Sequence, residues 1–208
     1  MWWVLFVAVT ANAEMPLPSY RDELVRKAWL EADELLEAGH LEEAAASAKA
    51  FEDQVTPDGT LEYLIGLSWR LRDEPRKAEK HYREALSLDP DLPEAWSDLG
   101  EILLVQGRLD EADDAFQKVE QGVPNGPYAW LGPQRLAEIG ALRHDPEAFE
   151  RHIHDALRKG FSFQTVVGLP NWRAFYADPA MHDSVEKMIT VYGDPDILDS
   201  LKAPPPPQ

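Results

Sequence analysis

PEAWSDLGEILLVQGRLDEADDAFQKVEQGVPNG, residues 93–126, is the stretch whose reading decides the fold. Pro93 and Glu94 suit a first helical turn: the missing proline N–H is harmless there, and a carboxylate faces the positive end of the helix dipole. Trp96, Leu99, Gly100 and Leu103 follow at i, i+3, i+4 and i+7, one face of one helix. Gly107 sits where that helix must stop and reverse. Ala112, Phe116 and Val119 then mark one face of a second helix, closed by Pro124. Gly100 and Ala112 are small, so the two helices can approach closely while Trp96 and Phe116 fill the space beside them.

The same pattern stands 34 residues earlier. Gly66, Ala78, Tyr82, Ala85 and Pro90 precede Gly100, Ala112, Phe116, Val119 and Pro124 by one fixed period, which marks stacked helical hairpins. Residues 59–92 also supply Ile65 and Trp69, but Glu62 stands where a bulky aromatic belongs, leaving Leu61 or Tyr63 to compensate. Residues 25–58 give Ala28, Ala32, Leu35, Gly39, Ala44, Ala48 and Phe51, with small residues at both large positions. This spacing resembles the tetratricopeptide repeat, whose pattern is W-x2-L-G-x2-Y, then A-x3-F, then P. An ordinary helical bundle is the alternative.

The resemblance implies an all-α solenoid. Its repeats occupy residues 14–126, as three hairpins over 25–58, 59–92 and 93–126. After Gly126 the register slips. Tyr128, Trp130, Leu131, Leu136, Ile139 and Leu142 read as a helix interrupted by Pro133, and Pro146–Lys159 as its partner, with Phe149, Ile153, Ala156 and Leu157 on one stripe. Residues 127–160 are therefore expected to form a degenerate fourth hairpin. Gly160-Phe161 and Asp178-Pro179 resemble the end-of-group segment of some bacterial repeat arrays, with Asn171-Trp172 where an Asp-Leu pair is more usual, and the resemblance implies that 161–200 is a helical cap over the last apolar face. Residues 201–208 read as a proline-rich tail, with four consecutive prolines.

Composition narrows the function. Lys and Arg total 20 against 38 Asp and Glu, a net charge of −18, and a field of that sign repels nucleic-acid phosphates and anionic lipid. There is no cysteine, which excludes disulfides, thiolate catalysis and Cys-ligated zinc. Trp2–Thr10 is an uncharged apolar run of nine followed by Ala11-Asn12-Ala13, the layout of a secretory signal peptide over residues 1–13. A bilayer needs about 20 apolar residues, so no membrane span is expected there. The expected location is periplasmic or secreted, with cleavage after Ala13.

The family resemblance implies a ligand on the concave surface lined by the first helix of each pair. Carried onto this chain, that surface takes Arg26, Trp29 and Asp33 from the first unit, Tyr63, Leu67 and Arg70 from the second, and Ser97, Glu101 and Leu104 from the third. Leu67 and Leu104 alternatively belong to the core, and Trp29 to the first hairpin. The strip suits an extended peptide or a partner helix. The family's cationic clamp for a terminal carboxylate is not expected, because Trp29, Asp33, Tyr63 and Leu67 replace the Lys and Asn it needs. No HExxH, G-x-S-x-G, P-loop or dinucleotide motif is present. His152 and His154 point about 200° apart on one helix and cannot chelate one ion together. The expectation is a non-enzymatic interaction scaffold or adaptor in the bacterial cell envelope, without cofactor or metal, holding a protein or peptide partner. The alternatives are a structural subunit of an envelope complex, or a small metal or catalytic site in 127–200.

Overall fold

The computed structural model describes residues 20–52, 58–167 and 169–202. The signal-peptide reading of 1–13 and the prolines of 203–208 lie outside them. Among the described residues the chain is all-helical: α1 (Tyr20–Glu37), α2 (Leu41–Glu52), α3 (Gly59–Leu71), α4 (Pro75–Leu88), α5 (Pro93–Val105), α6 (Leu109–Gly122), α7 (Leu131–Leu142), α8 (Pro146–Arg158), a 3-10 turn (Phe163–Val166), α9 (Pro170–Ala177), α10 (His182–Tyr192) and α11 (Pro195–Lys202). The described residues divide into two compact units, one ending at Leu99 and the other beginning at Gly100.

The hairpin turns show the period directly. Gly39, Asp73 and Gly107 stand 34 residues apart and take left-handed φ values of 77°, 59° and 72°. Each turn closes in the same way, by N–H donation from His40, Glu74 and Arg108 to the carbonyls of Leu35, Trp69 and Leu103. The corresponding turn of the fourth hairpin is His144, with φ 53°, which follows Gly107 by 37 residues instead of 34. Three extra residues are the physical content of the register slip.

In the first unit, Ala28 and Ala32 of α1, Ala48 of α2 and Leu61, Leu64 and Ile65 of α3 form one core, edged by Trp29, Phe51 and Trp69. Asp58 caps α3, accepting from the N–H groups of Thr60 at 2.9 Å and Leu61 at 3.4 Å. Gly66 lets α4 close on α3: a Cβ there would lie 2.7 Å from the Tyr82 ring. Leu61 takes the buried position that Glu62 cannot fill, and Glu62 instead pairs with His81 Nδ1 at 2.8 Å.

Trp96 departs from the sequence reading. Ala95, Leu99, Ile102 and Leu103 are the buried apolar side chains of α5, whereas Trp96 is half-buried with its indole N–H on the Pro90 carbonyl at 2.8 Å. Trp96→Ala is therefore expected to cost about 1–2 kcal/mol in urea denaturation, not the 3–5 kcal/mol of a fully buried indole.

In the second unit, Phe116 is fully buried against Gly100, where a Cβ would lie 2.8 Å from the ring. Burying such a side chain contributes about 2–3 kcal/mol. Pro133 does not interrupt a helix. It lies in the first turn of α7, where no backbone N–H is needed, and α7 begins only at Leu131. Nearly all of α7 is buried, including Gln134 and Glu138. Asp145 caps α8 through the Ala148 N–H at 2.9 Å, and Pro146 opens its first turn.

Phe149, Ile153 and Ala156 of α8 share a core with Phe161, Phe163, Trp172, Phe175, Val185, Met188, Ile189 and Ile197. Trp172 is completely buried, with the rings of Phe149, Phe161, Phe163 and Phe175 at 5.9, 6.4, 5.8 and 6.1 Å. Leu201, read as the start of the tail, is a buried residue of α11.

Candidate functional site

On α1, Trp29 and Asp33 lie one turn apart on one face. The Trp29 ring stacks almost flat on Tyr63 of α3, at 6.1 Å and 9°. Tyr63 in turn stacks on Tyr82 of α4, at 5.7 Å and 29°. Beneath this ladder lies the carboxylate of Asp98, 7% exposed. It accepts from the Tyr63 hydroxyl at 3.3 Å and the Tyr82 hydroxyl at 3.1 Å, and pairs with Arg70 at 3.1 Å.

Burial pushes the Asp98 carboxyl up, opposed by Arg70 and the two hydroxyl donors. Burial, reinforced by Asp98, pushes both tyrosines well above the ordinary range, so their hydroxyls remain donors. Asp33, half-buried, is also pushed up, first by burial and then by Glu37 and Glu34.

The candidate residues of this unit thus separate by role. Tyr63 and Leu67 are buried, and Arg70 is drawn to Asp98 with its side chain 9% exposed. Arg26 is exposed, and Trp29, Asp33 and Ser97 are half-buried. The second group is accessible, and the first packs behind it.

The second unit has its own polar cluster. Glu101 and Leu104 of α5 are half-buried. Glu101 accepts from Arg135 Nε at 2.6 Å, and Arg135 Nη1 donates to Glu138 at 2.7 Å. Glu138 is 1% exposed, and its other oxygen accepts from Gln134 and from the Trp172 indole, each at 2.6 Å. Burial by itself would lower the Arg135 guanidinium; the carboxylates of Glu101 and Glu138 overrule it and push it up. Arg135 is thus a fixed cation, held from both sides.

Arg135 and Glu138 were not among the sequence candidates, although they stand 34 residues after Glu101 and Leu104. The period itself was the available signal. Asp98 carried no such signal, because a lone acid beside Ser97 reads as a solvated residue. Among the described residues no group of three or more His, Asp or Glu is placed to hold a metal ion, and no helix is long and apolar enough to cross a membrane.

This architecture of antiparallel helical hairpins at a 34-residue period, closed by shorter helices, is that of an α-solenoid. Residues 67–127 match the family model described as tetratricopeptide repeat. Among relatives, the Arabidopsis thaliana protein POLLENLESS 3-LIKE 2 is 38% identical over 86 residues, 40% of this chain and 20% of that protein. The chain spans a fifth or less of the length of the curated relatives it matches. Among solved structures, PilF of Pseudomonas aeruginosa superposes with a TM-score of 0.67 at 16% identity, covering 83% of this chain and 77% of that one. YrrB, described as a tetratricopeptide-repeat protein with an unusual peptide-binding site, superposes with a TM-score of 0.63 at 14% identity, covering 89% and 99%. Residues 67–127 thus carry the tetratricopeptide repeat, within a fold shared with solved proteins of that kind.

Proposed function

We propose that this chain is a non-catalytic interaction scaffold or adaptor that holds an extended peptide or partner helix. In the first unit the ligand lies against the accessible side chains of Arg26, Trp29, Asp33 and Ser97. The observation that carries this reading is the Trp29 ring, stacked flat on Tyr63 yet still half-exposed, with Arg26 and Asp33 on the same helix. A rigid aromatic held from behind offers contact area at little entropic cost, the character of a binding hot spot. The peptide-binding site of YrrB, a protein of this fold, supports the choice of ligand.

The buried carboxylates argue for scaffolding over chemistry. Asp98 and Glu138 are each satisfied by several donors, so neither is poised to take a proton from a substrate. The proposed location is the bacterial periplasm or exterior, supported by the apolar run and A-x-A pattern of residues 1–13. Cell fractionation with sequencing of the mature amino terminus tests it; a cytoplasmic protein retaining Met1 contradicts it.

The binding test uses Trp29→Ala and avoids Tyr63, whose loss would strip a donor from Asp98. Peptides selected from a displayed library on the wild-type protein are expected to bind Trp29→Ala at least about tenfold more weakly by calorimetry, with helical content unchanged. Equal affinity for the two proteins contradicts the assignment.

A further inference from the structure

Helices α8 and α10 border a shallow hollow of 640 Å³, lined by Arg151, His154, Asp155, Leu157, Arg158 and Tyr192. It shares no residue with the faces of α1, α3, α5 and α7. On α8, Arg151, His154, Asp155 and Arg158 fall at i, i+3, i+4 and i+7, so they project from one side, with the two arginines about 10 Å apart along the axis. Asp155 accepts from Arg158.

Arg151 has no carboxylate partner among the described residues. Its Nη2 donates to His152 Nε2 at 3.3 Å. Burial, and then Arg151 itself, push that imidazole down, so an uncharged ring accepts and the guanidinium charge stays unneutralised. The wall opposite is apolar. The Tyr192 ring meets His154 edge-on at 5.2 Å and is 49% exposed, and Val191 beside it is 61% exposed. These two residues end α10, whose other apolar side chains, Val185, Met188 and Ile189, are buried.

We propose that this hollow is a second docking site, for an acidic peptide segment that places an apolar side chain between Leu157 and Tyr192 and a carboxylate on Arg151. Charge complementarity selects the occupant. On a chain with 38 acidic residues against 20 basic ones, an exposed and unneutralised guanidinium is set beside exposed tyrosine and valine. A guanidinium fork matches a carboxylate with two parallel hydrogen bonds, and arginine and tyrosine are the usual anchors of such contacts. This inference is independent of the reading of the Trp29 face.

The test is fluorescence anisotropy on the full chain with a labelled, capped peptide of four glutamates flanking two leucines. Matched probes carry glutamine or lysine in place of glutamate. The acidic probe is expected to bind, the others to bind at least about tenfold more weakly, and added salt to weaken binding. Arg151→Glu is expected to reduce affinity at least about tenfold and Tyr192→Ala at least about threefold, while Trp29→Ala leaves it unchanged. Both altered side chains are exposed, and unchanged thermal unfolding confirms an intact core. Equal binding of the glutamine probe, an unaffected Arg151→Glu protein, or no binding up to about 1 mM peptide overturns the proposal. Sedimentation velocity run alongside identifies the rival occupant: self-association abolished by Arg151→Glu would assign the hollow to a second copy of the chain and overturn the peptide reading.

Discussion

Asp98→Ala is expected to lower the free energy of unfolding by about 3–5 kcal/mol, the cost of breaking a buried ion pair from one side. The substitution removes the acceptor of two tyrosine hydroxyls and the counter-ion of Arg70 in one step. The Arg70 side chain is only 9% exposed, so water cannot readily replace the lost carboxylate. Asp98→Asn separates shape from charge. It keeps one carbonyl acceptor and the side-chain volume, and its expected cost is about 1–2 kcal/mol.

The pH dependence has a definite sign. Burial raises the folded-state carboxyl above its ordinary value of 3.8, so the native protein retains a proton that the unfolded chain has already released. Across that window the Asp98 contribution to stability falls as pH rises, and it is greatest below the unfolded value. Asp98→Asn is expected to remove this slope. Urea denaturation of the three proteins between about pH 3 and pH 7 measures both effects. A loss below about 1 kcal/mol for Asp98→Ala would mean that the network is not closed as described.

Trp172→Ala is expected to be comparably destabilising, by about 3–5 kcal/mol. The indole is completely buried among four phenylalanines and donates to Glu138. Its removal leaves a cavity where α8, α9 and α10 meet and takes one donor from a buried carboxylate. Trp172→Phe keeps most of the packing and removes the N–H, so its expected cost is about 1–3 kcal/mol, mainly from the weakened satisfaction of Glu138. Hydrogen exchange is expected to quicken across residues 146–202 in the alanine variant. Unchanged protection there would show that Trp172 does not hold the closing helices to α8.

The contrast between legible and hidden features follows from the range of the interactions. Gly66 beside Tyr82 and Gly100 beside Phe116 were readable because a small residue and a large one must recur together wherever two helices touch. The reversals at Gly39 and Gly107 were equally visible, since a left-handed turn favours glycine. Asp73 and His144 occupy the same conformation without that marker, and they conceal the second and fourth turns. Helical phase misassigned Trp96, because only about 100° of rotation separates it from Ala95, and only packing shows which faces the core. Pro133 was misread for a related reason: a proline means opposite things in a first turn and in a helix interior, and the sequence does not mark where α7 begins.

The candidate site was legible by position and illegible by role. The period placed Tyr63, Leu67 and Arg70 on the expected helix, but burial turned them into the support of the face and left Trp29 accessible. That outcome depends on Asp98, 35 residues from Tyr63 in the chain, and no local pattern links the two. Arg135 and Glu138 keep the 34-residue spacing, but the displaced reversal at His144 after them made the fourth hairpin look too irregular to carry the series forward.

Photocrosslinking tests the central claim, that the accessible side chains of the first helices hold the partner. Full-length protein carrying benzoylphenylalanine in place of Arg26 or Ser97, or in place of the exposed Lys80 or Lys118 on α4 and α6, is irradiated in its native cell and the adducts are identified by mass spectrometry. The expected result is one common partner crosslinked from positions 26 and 97 and none from 80 and 118. A partner crosslinked only from 80 and 118 would place the binding surface on the second helices and contradict the account.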